Sequence, residues 1–291
     1  MTAPDTTSAT ADRSRRDASA EVHRHRWSPP PDAPARPCGV YLMHGIGEHA
    51  ARYERLARRL ASEGWPGGAH DHPGHGRSGG RRGRLPAAGS YASCALAECE
   101  RFARETGAAP FVFGHSLGGV VACELVLEHG FDTSGLVLSA PAIVPRLTPG
   151  QAAKLRTLSL LAPRLVLEFP YDPADLTHDP EQRRAALADE WIHGFKSAEQ
   201  VGWLMRAAAR ALADAAGLDV DVLVLVAGRD ALIDVDRTRE FAARLPEGRA
   251  TVRVYGESHH ELLNEGPTLR GRVEDDIVGW LDARTRDAGS T

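Results

Sequence analysis

The chain has 291 residues, 42% hydrophobic but only 6% aromatic, enough for one large α/β domain or two small ones around a mainly aliphatic core. Its 35 basic and 39 acidic residues are spread along the chain, and a formal net charge of −4 argues for neither a nucleic-acid groove nor a polybasic membrane anchor. No apolar run reaches the roughly 20 residues of a membrane span. The N-terminal arginines precede no apolar signal core. Four cysteines at unrelated spacings, Cys38, Cys94, Cys99 and Cys123, read as buried free thiols, so a cytoplasmic protein is expected.

Residues 1–20, rich in Thr, Ser, Ala, Asp and Arg without periodicity, predict a disordered tail. Glu21 to Ser28 suits an edge strand, and Pro29 to Pro34 a turn-rich connection. Cys38 to Met43 is a continuous apolar run, as a buried parallel strand requires, ending in His44-Gly45-Ile46-Gly47-Glu48-His49. A helix is expected from about Arg52 to Glu63, with Tyr53, Leu56 and Leu60 on one face and Arg52, Arg55 and Arg59 towards water. Trp65 to Ser78 predicts a short strand, weakened by Gly67 and Gly68, and then a loop. A helix over Tyr91 to Glu105 precedes the apolar run Phe111-Val112-Phe113, and Gly135 to Pro141 is a further buried strand.

From Pro145 to about Gly217 the chain turns Ala-, Leu- and Arg-rich, with no strand-like run before Val220. Leu155, Leu158, Leu161 and Leu165 recur at helical spacing, and Pro170, Pro173 and Pro180 punctuate a loop. A helical insertion lying over the core is expected. The strand pattern resumes at Val220 to Ala227, followed by a helix to about Leu245, a strand at Ala250 to Tyr255 and a closing helix from Pro267 to Ala283. Strands alternating with helices predict an α/β fold with a mostly parallel sheet covered on both faces.

The chemistry centres on Gly114-His115-Ser116-Leu117-Gly118, set between an apolar strand and a helix running to about His129. Strand, tight turn and helix around Gly-x-Ser-x-Gly is the context of a nucleophile elbow. Gly114 and Gly118 omit Cβ atoms where strand and helix approach, so the backbone can hold Ser116 in a strained turn. The turn places Ser116 at a helix N-terminus, where the free N–H of Leu117 can stabilise an oxyanion. A serine nucleophile needs a base, and the base needs a carboxylate to fix its tautomer. Two later strand ends offer them. Asp230 follows Val226-Ala227-Gly228-Arg229, with Asp234 and more weakly Asp236 as competitors. His259 and His260 follow the last strand.

Metal chemistry has weaker support. His70-Asp71-His72-Pro73-Gly74-His75 is dense in donors but lacks a completing cluster. His260-Glu261-Leu262-Leu263-Asn264 has Asn264 where a zinc-protease motif needs its second histidine. Gly45-Ile46-Gly47 lacks the third glycine of a dinucleotide fingerprint. No metal and no organic cofactor is expected.

In combination and in order, several motifs resemble the monoacylglycerol lipase/lysophospholipase family of α/β-hydrolases over residues 21–283. They are His44-Gly45-Ile46-Gly47-Glu48-His49 with Arg52-Tyr53, Asp71-His72-Pro73-Gly74-His75-Gly76-Arg77-Ser78, Gly114-His115-Ser116-Leu117-Gly118-Gly119, Asp172-Pro173-Ala174, and His260-Glu261-Leu262-Leu263-Asn264-Glu265. The resemblance implies an α/β-hydrolase fold whose core spans residues 21–144 and 215–285, with a helical cap over 145–214 and a short tail over 286–291. It implies Ser116 as nucleophile, Asp230 as acid and His260 as base, with His259 its neighbour. It implies an oxyanion hole from the N–H groups of Ile46 and Leu117, and Glu48 and Arg52 at the polar end of the pocket, near the glycerol group. Two departures stand out: Trp65-Pro66-Gly67-Gly68 replaces the family's apolar run before Asp71, and Leu263 stands where some glycerol-ester lipases have a polar residue.

The implied activity is serine ester hydrolysis of monoacylglycerol-like or other single-chain esters. A thioesterase, lactonase or acyltransferase acting on a specialised metabolite is the alternative use of the same site, and a catalytically silent binding homologue is the reading from another class. The implied partner is a small-molecule ester with an acyl chain, without nucleic acid. The apolar stretch Leu155 to Phe169 is expected to pack over the pocket, with transient contact to a membrane surface as its second reading.

Overall fold

The computed structural model describes residues 21–86, 89–169 and 172–288; the tail expected over residues 1–20 lies outside them. The described strands are β1 (Arg24–Trp27), β2 (Val40–Met43), β3 (Gly67–His70), β4 (Phe111–His115), β5 (Gly135–Ser139), β6 (Val166–Glu168), β7 (Phe195–Ser197), β8 (Val222–Ala227) and β9 (Ala250–Tyr255). Seven form one sheet in the order β1-β3-β2-β4-β5-β8-β9. All its pairs are parallel except β1 against β3. The helices are α1 (Glu54–Ser62), α2 (Tyr91–Thr106), α3 (Leu117–Leu127), α4 (Pro149–Leu161), α5 (Pro173–Leu176), α6 (Pro180–Ala188), α7 (Ala198–Ala213), α8 (Val235–Arg244) and α9 (Pro267–Ala288).

The two sheet faces make two apolar cores. One joins Tyr41, Val112 and Leu138 to Phe102 of α2, Val121 of α3, Trp203 of α7 and Phe241 of α8. The other joins Leu42, Phe113 and Leu225 to Leu56 and Leu60 of α1 and Ile277 and Leu281 of α9. Strands β2, β4, β5 and β8 are buried on both faces, which is why they are apolar without alternation. The weak-looking β3 is also fully buried and paired on both edges. Its glycines make room for bulk from elsewhere: a Cβ on Gly68 would lie 2.7 Å from the Phe102 ring. Trp65 takes up the lost apolar volume and packs edge-on against Phe111.

The insertion between β5 and β8 departs from expectation in three ways. It holds two strands, β6 and β7, which pair antiparallel with each other. The segment read as a proline-punctuated loop contains helices α5 and α6, each with proline in its first turn and an aspartate, Asp172 or Asp179, accepting backbone N–H groups as N-cap. Its last helix, α7, packs in the same core as the sheet. Elsewhere, a 3₁₀ turn over Ala50–Tyr53 precedes α1, and α9 runs to Ala288, through the start of the tail expected from residue 286. Arg52 corrects a further expectation: its side chain is largely enclosed between two glutamates instead of facing water. No helix among the described residues is long and apolar enough to cross a membrane.

Candidate active site

Parallel strands deliver their carboxyl ends to one edge of the sheet, and the predicted site residues collect there. Ser116 follows β4 directly and opens α3. Its backbone holds φ 52° and ψ −113°, a left-handed conformation rare for a residue with a Cβ. Four backbone hydrogen bonds hold the turn: Ser116 N–H donates to Ser139 O at 3.0 Å, while Ser116 O accepts from Gly119 at 3.1 Å, Val120 at 3.4 Å and Ala142 at 3.0 Å. Gly114 and Gly118 are required by space. A Cβ on Gly114 would strike the Gly118 carbonyl, and one on Gly118 the Met43 carbonyl.

After β8, Asp230 is buried with both oxygens engaged. Oδ1 accepts from the backbone of Leu232 at 2.8 Å and Ile233 at 2.9 Å. Oδ2 accepts from His260 Nδ1 at 2.7 Å. Asp234 is elsewhere, capping α8 through the N–H groups of Asp236 and Arg237, and Asp236 pairs with Arg239 on the surface. The two adjacent histidines also separate. His259 donates Nδ1–H to Ala174 O at 2.8 Å and packs at a tilt against the His178 ring, whereas His260 turns to Asp230. Burial disfavours the His260 imidazolium, but Asp230 outweighs it and raises His260 above the ordinary histidine value of 6.5. Ser116 and His260 line one cavity, with no hydrogen bond between their side chains among the described residues; such contacts often tighten only when substrate binds.

The loop after β2 forms another wall. His44 is buried and held neutral by burial and its histidine neighbours. It donates Nδ1–H to Gly45 O at 2.7 Å and accepts the His72 N–H at 2.8 Å. Glu48 accepts from Gly45 N–H at 2.6 Å, the Tyr53 hydroxyl at 2.7 Å and Arg52 at 2.7 Å. The loop geometry is thereby set, and the N–H groups of Ile46 and Leu117 meet no acceptor among the described residues.

Arg52 extends from Glu48 to grip both oxygens of Glu261, at 2.6 and 2.7 Å. Burial opposes this guanidinium's charge, yet Glu261 and Glu48 hold it above the ordinary arginine value, while Arg52 holds the buried Glu261 carboxyl well below its own. Glu48 and Arg52 both line the cavity, but their polar atoms point largely at one another. Sequence reasoning gave Glu261 no role. The available signal was a charged residue beside the candidate base and ahead of buried leucines. It also missed His115, whose ring lies 4.8 Å from that of His260 and which burial, then His260, pushes down to about 4.

The cavity has a volume of about 410 Å³. Its other walls are largely apolar and come from the insertion and neighbouring loops, including Leu155, Leu158, Val201 and Leu204. The histidines of the Asp71 loop are buried and do not line the cavity: Tyr41 Oη and His70 Nδ1 are 3.0 Å apart, and His70 and His75 are each driven by burial to about 4. Two other groups, His23 with His25 and Asp71, and His178 with His259 and Glu265, bring three possible metal donors together. In the second, Glu265 already accepts the N–H groups of His178 and His259, which ties α5 and α6 to the loop of His260.

A family model described as serine aminopeptidase, S33, matches residues 36–267. The monoacylglycerol lipase of Mycolicibacterium smegmatis is 31% identical over 260 residues, 88% of this chain and 90% of that protein. The chain belongs to the monoacylglycerol lipase family of α/β-hydrolases. Human monoglyceride lipase is 28% identical, over 86% of this chain and 84% of its own. Among solved structures, the monoacylglycerol lipase of Paleococcus ferrophilus superposes with a TM-score of 0.79 at 27% identity, covering 91% of this chain and 99% of that one.

Proposed function

We propose that this carboxylic ester hydrolase cleaves monoacylglycerol-like or other single-acyl-chain esters through an acyl-enzyme intermediate. The observation that carries the proposal is the 2.7 Å contact from His260 Nδ1 to a buried Asp230, at the wall of an apolar cavity that also holds the strained Ser116. Ser116 Oγ attacks the ester carbonyl, and His260 Nε2 takes its proton. The carbonyl oxygen becomes an oxyanion received by the N–H groups of Ile46 and Leu117. His260 returns the proton to the leaving alcohol as the C–O bond breaks. Water then repeats the sequence on the acyl-enzyme: His260 takes its proton, the acid departs, and Ser116 regains its hydroxyl.

Asp230 holds the His260 tautomer and stabilises the imidazolium. Glu48 and Arg52, in this scheme, act mainly by positioning: Glu48 fixes the Gly45–Ile46 peptide, and Arg52 holds Glu48 to the loop of His260. The insertion serves as a cap whose apolar inner wall takes the acyl chain. Its outer helix α4 has no buried residue and exposes Leu160 and Leu161 at 78% and 79%, which supports transient contact with a lipid surface. Four unpaired cysteines support a reducing, cytoplasmic setting.

The test is release of fatty acid from a monoacylglycerol series, run beside matched thioesters and lactones. Turnover of the glycerol esters with loss of about 10⁶-fold in Ser116→Ala is expected. Preference for a thioester or lactone over every glycerol ester would overturn the substrate assignment.

A further inference from the structure

Of the 35 basic residues in the chain only two are lysines, Lys154 and Lys196; the rest are arginines. Both lysines line the cavity that holds Ser116. The arginines are largely tied to carboxylates, whereas neither lysine has an ion-pair partner among the described residues. Lys154, on α4, lies over the Phe169 ring at 4.8 Å. Lys196, on β7, is half-buried opposite Leu167, with only burial acting on its charge. The cavity's own acids do not answer them. Glu48 and Glu261 are joined through Arg52, Asp172 caps α5, and Asp175 is exposed.

For the half-buried Lys196 a charge without a counter-ion in an apolar wall is unfavourable unless something brings an anion to it, whereas the exposed Lys154 keeps its hydration. Low-dielectric surroundings strengthen the attraction once that anion arrives. The choice of lysine fits an intermittently filled site. An arginine stays charged in an empty pocket, whereas a buried lysine can release its proton, and burial does lower Lys196 from the ordinary 10.5.

We propose that Lys196, assisted by Lys154, anchors an anionic oxygen group of the substrate, so that the preferred single-chain ester carries a carboxylate or phosphate besides its scissile bond. The inference rests on the ester-hydrolase reading and narrows its substrate class. The two sources of the anion differ in place: a carboxylate at the far end of the acyl part, or a phosphate on the alcohol part.

Matched pairs of soluble esters separate them. Monomethyl suberate is compared with methyl octanoate, and octanoylglycerol phosphate with octanoylglycerol, for wild type and for Lys196→Met, Lys154→Met and Lys196→Arg. The wild type should favour the anionic member of one pair. Lys196→Met should lower that anionic-to-neutral ratio of kcat/KM by at least about tenfold, the lower end for a close charged pair across an interface. The change should fall on KM, and Lys196→Arg should restore part of it. Preference for the neutral member in both pairs, or a ratio unmoved by Lys196→Met, overturns the inference and leaves ester hydrolysis standing. Failure of all four esters, with Ser116 inert to a fluorophosphonate, overturns both.

Discussion

At the scale of single residues, the His260–Asp230 contact sets a pH dependence with a definite sign. In the proposed mechanism His260 serves as base only when neutral, and Asp230 raises its protonation range above 6.5. The acid limb of kcat/KM should therefore lie above pH 6.5. Asp230→Asn removes the negative charge that outweighs burial, so the limb should move to lower pH while turnover falls by about 10⁴-fold. A limb that stays in place would contradict the assignment of Asp230. Arg52 gives a prediction about stability. Arg52→Met leaves Glu48 and Glu261 buried without their cation, which should reduce unfolding free energy by about 3–5 kcal/mol in a urea titration. The same pair gives an acid signature. Glu261 is held below the ordinary 4.5, so its stabilising contribution is present above that value and lost as pH falls towards the depressed one.

At the scale of elements, the elbow depends on close approach between β4, α3 and the end of β2. Gly118→Ala would drive a Cβ into the Met43 carbonyl, and no rotamer change relieves a backbone clash. The variant should lose soluble yield and thermal stability beyond the small cost of an ordinary Gly→Ala change; a normal melting curve would show the approach to be looser than described. Helix α4 behaves oppositely, because nothing in it is buried. Leu160→Glu with Leu161→Glu should shift unfolding by no more than about 0.5 kcal/mol and leave hydrolysis of soluble short-chain esters intact. Hydrolysis of substrate presented in lipid vesicles should fall. Equal activity on both presentations would remove the lipid-contact role from α4.

For the whole molecule, the sheet and its covering helices could be read from the sequence because strands buried on both faces leave long apolar runs. The run expected from Gly135 to Pro141 contains β5, buried throughout, and the strand expected at Ala250 to Tyr255 coincides with β9, an edge strand exposed over most of its length. The insertion was less legible for a physical reason. A three-residue strand such as β6 shows no periodicity, and the prolines that marked a loop also occupy the first turn of α5 and α6. Arg52 was misplaced because helical periodicity sees only its own element, while its partners Glu48 and Glu261 lie on other loops. Competition between Asp230 and Asp234 was likewise undecidable from spacing. Only the fold shows that Asp234 caps α8 and that Asp230 meets His260.

The central claim, that this scaffold activates Ser116, is tested most directly by labelling with a fluorophosphonate probe, followed by intact-mass and peptide analysis of wild type and Ser116→Ala. One adduct per chain, located at Ser116 and absent from the folded Ser116→Ala protein, is the predicted result. A well-folded wild type that takes no label, or takes it at another serine, would contradict the account.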